Sequence, residues 1–70
     1  MEVRIKNKIN GAYDFNWGEG WQEWNINDLT EWSAENNPML HLFLTGEGVE
    51  LEYSPGEDGE IVFRLAGGIN

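Results

Sequence analysis

Glu50 and Glu52 stand two residues apart in the segment Val-Glu-Leu-Glu-Tyr-Ser, where apolar and polar residues alternate. On an extended strand, such a pair projects from one face with its members about 6.6 Å apart. That is the scale of phosphate spacing along a nucleic-acid strand. Glu47 precedes the pair, and Glu57, Asp58 and Glu60 follow it in the adjoining turn and next strand. A six-acid hairpin of this kind can occupy an Arg/Lys-rich site built for DNA or RNA. Trp17 and Trp21 flank the turn Gly18-Glu19-Gly20. Tryptophan is enriched at interface hot spots, so these two rings are candidate anchors beside the acids.

Other chemistries find little material. His41 is the sole histidine and there is no cysteine. A serine nucleophile would have to be Ser33 or Ser54, and neither lies in an elbow or oxyanion-loop context. Gly18-Glu19-Gly20 lacks the lysine and following helix of a phosphate loop. Glu57-Asp58-Gly59-Glu60 offers hard oxygens without the spaced ligands of a calcium loop. Paired carboxylates doing acid–base work need a cleft that drives their pKa values apart, and these lie on a solvated strand face or in a turn. No catalytic residue, metal or cofactor is expected.

Charge sets the broader frame. Thirteen carboxylates face four bases, for a net charge of −9. Arg4, Lys6 and Lys8 lie at one end of the chain and Arg64 at the other, with twelve carboxylates and no base between Lys8 and Arg64. Such a field repels nucleic acid and anionic membrane and attracts basic surfaces. Direct nucleic-acid binding is disfavoured because it rests on lysine and arginine. Seventy residues make one domain, which buries about 60% of its unfolded surface. The absence of disulfides weakens the case for a small secreted scaffold. No apolar run reaches signal-peptide or membrane-span length. A cytoplasmic location follows as the expectation, that of the host if the chain is phage-encoded.

The elements that must position these residues are short. Asn10-Gly11 is a two-residue hairpin signal. It joins a strand over 2–9, with Val3, Ile5 and Ile9 inward, to a strand over 12–17 with Tyr13, Phe15 and Trp17 on one face. Residues 21–26 form a third short strand with Trp24 and Ile26 inward and Trp21 turned the other way. A helix is expected over 28–36, capped by Asn27 or Asp28 and stopped by Asn36-Asn37-Pro38. Residues 39–45, 49–54 and 60–66 read as a three-strand meander. Its first strand is apolar on both faces, as suits a central strand. Leu42, Leu44, Leu51, Phe63 and Leu65 are its expected core, and Gly67-Gly68-Ile69-Asn70 a loose tail. The fold class is α+β: a small, mainly antiparallel sheet of five to six strands with one short helix. One helix covers one face of the doubly apolar strand, so the other must meet the N-terminal hairpin or, in a homodimer, a second copy of the chain.

By size and charge alone the chain resembles small inhibitors carried by phages and mobile elements. Anti-CRISPR proteins that imitate nucleic acid are one such class, and immunity proteins that cap a toxin nuclease are another. The resemblance implies a non-catalytic inhibitor seated on a basic protein surface, that of a nuclease or other nucleic-acid-binding protein. Two rival readings are a small-ligand or carbohydrate module built on the aromatic cluster, and an accessory protein whose acidity serves solubility alone.

Overall fold

A computed structural model describes residues 1–66; the expected tail at 67–70 lies outside them. Five strands form one antiparallel sheet: β1 (Glu2–Ile9), β2 (Ala12–Asn16), β3 (Gln22–Asn25), β4 (Leu51–Pro55) and β5 (Ile61–Leu65). Their spatial order is β3-β2-β1-β5-β4, so the chain's two end strands meet at the centre and β3 and β4 are the edges. Two helices, α1 (Ile26–Asn36) and α2 (Pro38–Thr45), intervene between β3 and β4. This is the α+β class expected, with five strands and a second helix.

The hairpin of β1 and β2 follows from alternation. Ile5 pairs with Phe15, and Val3 pairs with Phe63 of β5, so these residues share the face turned to the helices. The β1–β2 register shifts between Lys6 and Ile9, where Asn7 takes positive φ, and Asn10 and Gly11 take positive φ in the turn that follows. The bulge turns Ile9 outward to 60% exposure, against its expected inward place.

α1 begins two residues before the sequence signal suggested. The Asn25 side chain accepts from the backbone N–H groups of Asn27 at 2.9 Å and Asp28 at 3.4 Å, satisfying two of the donors a helix start leaves open. Ile26 is thereby the first helical residue and half-exposed rather than inward. Asn37 ends α1 and starts α2, its side chain accepting from the Leu40 N–H at 3.2 Å. Pro38 occupies the first turn of α2, where its missing N–H costs nothing.

Residues 39–45 are therefore helical, not the first strand of a meander. The run Met-Leu-His-Leu-Phe-Leu-Thr is apolar throughout, and periodicity cannot separate a buried strand from a buried helix in so short a stretch. Capping decides it: Asn37-Pro38 opens the helix, and Gly46, at φ 70°, closes it with its N–H on the Leu42 carbonyl at 2.7 Å. The C-terminal unit is a two-strand hairpin of β4 and β5. The argument for a homodimer, which rested on a two-faced apolar strand, loses its premise.

The core lies between the helices and the β1–β2 half of the sheet. Val3, Phe15, Trp17, Leu29, Leu40 and Phe43 form it. Leu44, Leu51, Phe63 and Leu65 are only partly buried at its margin, and Leu42 is also only partly buried. On the sheet's other face Val62 is buried beneath the turn at 55–60. A Cβ on Gly56 would stand 2.8 Å from Glu60 Oε1 and 2.9 Å from Val62 Cγ2, so only glycine fits there.

Candidate functional site: an acidic sheet edge

β4 pairs only with β5, leaving its far side open. The pairing phase fixes which of its backbone groups are free. Ala66 N–H donates to the Glu50 carbonyl, and Gly56 N–H to the Glu60 carbonyl. In an antiparallel ladder the bonded residues alternate, and β4 residue numbers pair with β5 numbers in step, Glu52 with Arg64 and Ser54 with Val62. Residues 50, 52, 54 and 56 thus bond to β5. Leu51 and Tyr53 present N–H and C=O groups outward, and Pro55 presents a carbonyl alone. Proline is confined to such outward positions on edge strands.

Carboxylates line this edge. Glu47 and Glu50 lie in the loop leading into β4, Glu52 within it, and Glu57 and Asp58 in the 3₁₀ turn beyond it; all five are exposed. Glu52 projects on the sheet face away from the helices, opposite Arg64. The other face of β4 carries Leu51 and Tyr53. Leu51 packs on the core margin, whereas Tyr53 stands beyond the helices at 67% exposure, its ring edge-on to Phe63 at 4.8 Å. Alternation puts Tyr53 on the same face as Leu51, and no sequence signal tells that this part of the face is uncovered.

Two expected members are elsewhere. Glu60 is buried, and its carboxylate accepts from Arg4 Nη1 at 2.8 Å. Trp17 is buried in the core, tilted against Trp32 at 6.1 Å, with its indole N–H unpaired. Neither is available to a partner. Trp21 is exposed, as expected of an anchor, but Lys6 Nζ sits 4.2 Å from its ring centroid on the far side of the sheet from the helices.

Glu60 belongs to a network that sequence reading missed. Arg4 donates to Glu2 through Nε at 3.0 Å and Nη2 at 2.8 Å, and Arg64 Nε donates to the same carboxylate at 3.1 Å. Strand pairing brings these groups together from the two ends of the chain. The hydrogen bond from Arg4 holds the Glu2 carboxyl below its ordinary value of 4.5, with partial desolvation opposing and the charge of Arg64 assisting. The Arg4 guanidinium is raised in turn, chiefly by Glu2 and then Glu60. Because the folded Glu2 value is depressed, its contribution to stability is present above about pH 4.5 and disappears as pH falls through the folded value. Glu2→Gln should therefore melt below wild type near pH 7, and the gap should narrow as pH falls below 4.5 through the depressed folded value. A gap that persists unchanged in acid would place the effect outside this carboxylate.

Ser33 and His41 do meet, as a helix clasp. Ser33 Oγ donates to the Thr30 carbonyl at 3.0 Å, and His41 Nδ1 lies 3.0 Å from the same oxygen and 3.3 Å from Ser33 Oγ. A ring nitrogen facing a carbonyl carries its proton, so Nδ1 cannot take one from the serine. Ser33 is also wholly buried. The pair ties α2 to α1. A shallow cleft of about 430 Å³ lies at Met1, Glu2, Arg4 and Asn16, where Arg4 and Glu2 already bind each other. Among the described residues no group of three His, Cys, Asp or Glu is placed to hold a metal ion, and no helix is long and apolar enough to cross a membrane.

No protein-family model, curated protein or solved structure matches the chain.

Proposed function

We propose that this chain is a non-catalytic inhibitory protein that occupies a basic surface of a nucleic-acid-handling protein, imitating nucleic acid in the manner of anti-CRISPR and related anti-defence inhibitors. One observation carries the reading: every base is engaged within the molecule. Arg4 and Arg64 bind Glu2, and Arg4 also binds Glu60. Lys6 lies over the Trp21 ring and Lys8 over the Tyr13 ring, the latter at 5.9 Å. Among the described residues, the eleven carboxylates other than Glu2 and Glu60 have no salt bridge, and all but Asp14 are exposed. A surface whose arginines are ion-paired and whose carboxylates mostly are not has its electrostatic complement in a cluster of Arg and Lys on another molecule.

The aromatic cluster favours this over a sugar-binding reading. Trp17 is buried and Trp24 half-buried, and the exposed Trp32 of α1 is tilted at 42° and 37° to them, so the three rings make no flat platform for a sugar.

The test is capture from lysate on the immobilised protein at low salt, followed by elution with a short duplex DNA or RNA. The expected result is a basic nucleic-acid-handling protein that the duplex displaces and that loses its own nucleic-acid binding when the chain is added. Captured proteins that nucleic acid does not displace would overturn the reading.

A further inference from the structure

We propose that the β4 edge takes up an extended segment of the partner as a sixth strand, and that this segment alternates Arg or Lys with apolar residues. The proposal rests on the reading of a basic partner and names how that partner is held. Three observations converge on it. The outward N–H and C=O groups of Leu51 and Tyr53 are the ladder positions an incoming strand would use. The two faces flanking that ladder differ in chemistry: Glu50 and Glu52 on one, and on the other Tyr53 with the half-exposed Ile61 in the neighbouring strand. An added strand projects successive side chains to alternate faces. Its odd residues would therefore meet carboxylates and its even residues would meet Tyr53.

Charge selects against a second copy of this chain. Two β4 edges brought together would set Glu50 and Glu52 of each beside those of the other, on molecules of net charge −9. Pro55 limits the pairable stretch, since it offers no donor at its outward position. The opposite edge, β3, offers no such pair of faces: Gln22 and Trp24 are drawn toward the core, and Asn25 caps α1.

The probes are a synthetic eight-residue peptide of four Arg-Val repeats, its isomer with the four arginines in one block, and the repeat peptide N-methylated on alternate residues. Binding is read by titration calorimetry at low and high salt. The repeat peptide should bind about tenfold more tightly than the block isomer, through two or three added main-chain bonds, and N-methylation on the bonding side should erase that gain. Tyr53→Pro removes an outward N–H without touching a bond to β5, so it should erase the gain too. Tyr53→Ala keeps the N–H and should retain a preference for the repeat. Circular dichroism checks that both variants fold. Equal, salt-sensitive binding of repeat and block peptides would overturn strand pairing and leave the basic-partner reading standing. Preference for the repeat without salt sensitivity would support pairing and count against that reading. Failure of the repeat peptide to bind would overturn the pairing. So would a dimer of the chain that Tyr53→Pro splits, which would put a second copy on the edge.

Discussion

Phe15→Ala should leave the chain without a cooperative thermal transition above room temperature. Phe15 is wholly buried, with Tyr13 edge-on at 5.8 Å, in the cluster of Val3, Leu29, Leu40 and Phe43 that joins sheet to helices. Removing such a ring costs about 3–5 kcal/mol, from lost transfer energy and the cavity left behind. At about 0.05–0.15 kcal/mol per residue, a chain of this length has a total stability of roughly 3.5–10 kcal/mol, and burial of only about 60% of the unfolded surface puts so small a domain toward the lower end, where the loss is most or all of it. Phe63→Ala is the informative comparison. Read as a meander, the C-terminal third makes Phe63 a central core residue; in the structure it is half-buried at the core margin, against Tyr53. Its truncation should leave a folded protein with a lowered melting temperature. Urea and thermal melts of both variants decide the matter. Phe15→Ala melting near wild type while Phe63→Ala unfolds would place the core under β4 and β5 instead of under β1 and β2.

That contrast marks where the sequence was legible. The N-terminal hairpin declared itself twice, through Asn10-Gly11 and through the alternation of Tyr13, Phe15 and Trp17, and both signals are local. The same alternation implied that Trp17 points inward, which conflicts with its candidacy as an exposed anchor; burial won. The segment 39–45 carried two valid signals of different strength to the eye. Its apolar run suited a central strand, while Asn37-Pro38 and Gly46 framed a helix. Caps act on the backbone donors and acceptors that must be satisfied, so they outweigh an apolar run that either element can bury. Glu60 looked like any other acid because its partner Arg4 is 56 residues away and only strand pairing brings them together. Tyr53 illustrates the remaining gap. Alternation says which side chains share a face, and the reach of the helix layer says whether that face is covered.

Glu50→Lys combined with Glu57→Lys should slow association with a basic partner by about tenfold or more at low salt, because steering by a charged surface raises on-rates by roughly 10–10³. The pair flanks the β4 edge at its two ends, and both carboxylates are exposed and free of salt bridges. Glu52 is the less suitable choice. It lies directly opposite Arg64, where a lysine would add a like-charge pair across the strands at a cost of about 0.2–1 kcal/mol. Glu31→Lys with Glu35→Lys is the matched control. It changes charge by the same amount on the exposed side of α1, with Glu35 in that helix's last turn, where a cation is favourable. Both double variants should melt close to wild type, since exposed substitutions of this kind stay within about 0.5 kcal/mol each. A slowing confined to the edge pair that fades as salt shortens the screening length toward about 3 Å assigns the encounter surface to β4. Equal slowing by both pairs would mean that the partner senses total charge, and the edge would have no privileged part in recognition. No slowing by either, with a partner that nucleic acid still displaces, would leave the exposed tyrosine and the open backbone as the groups that hold it.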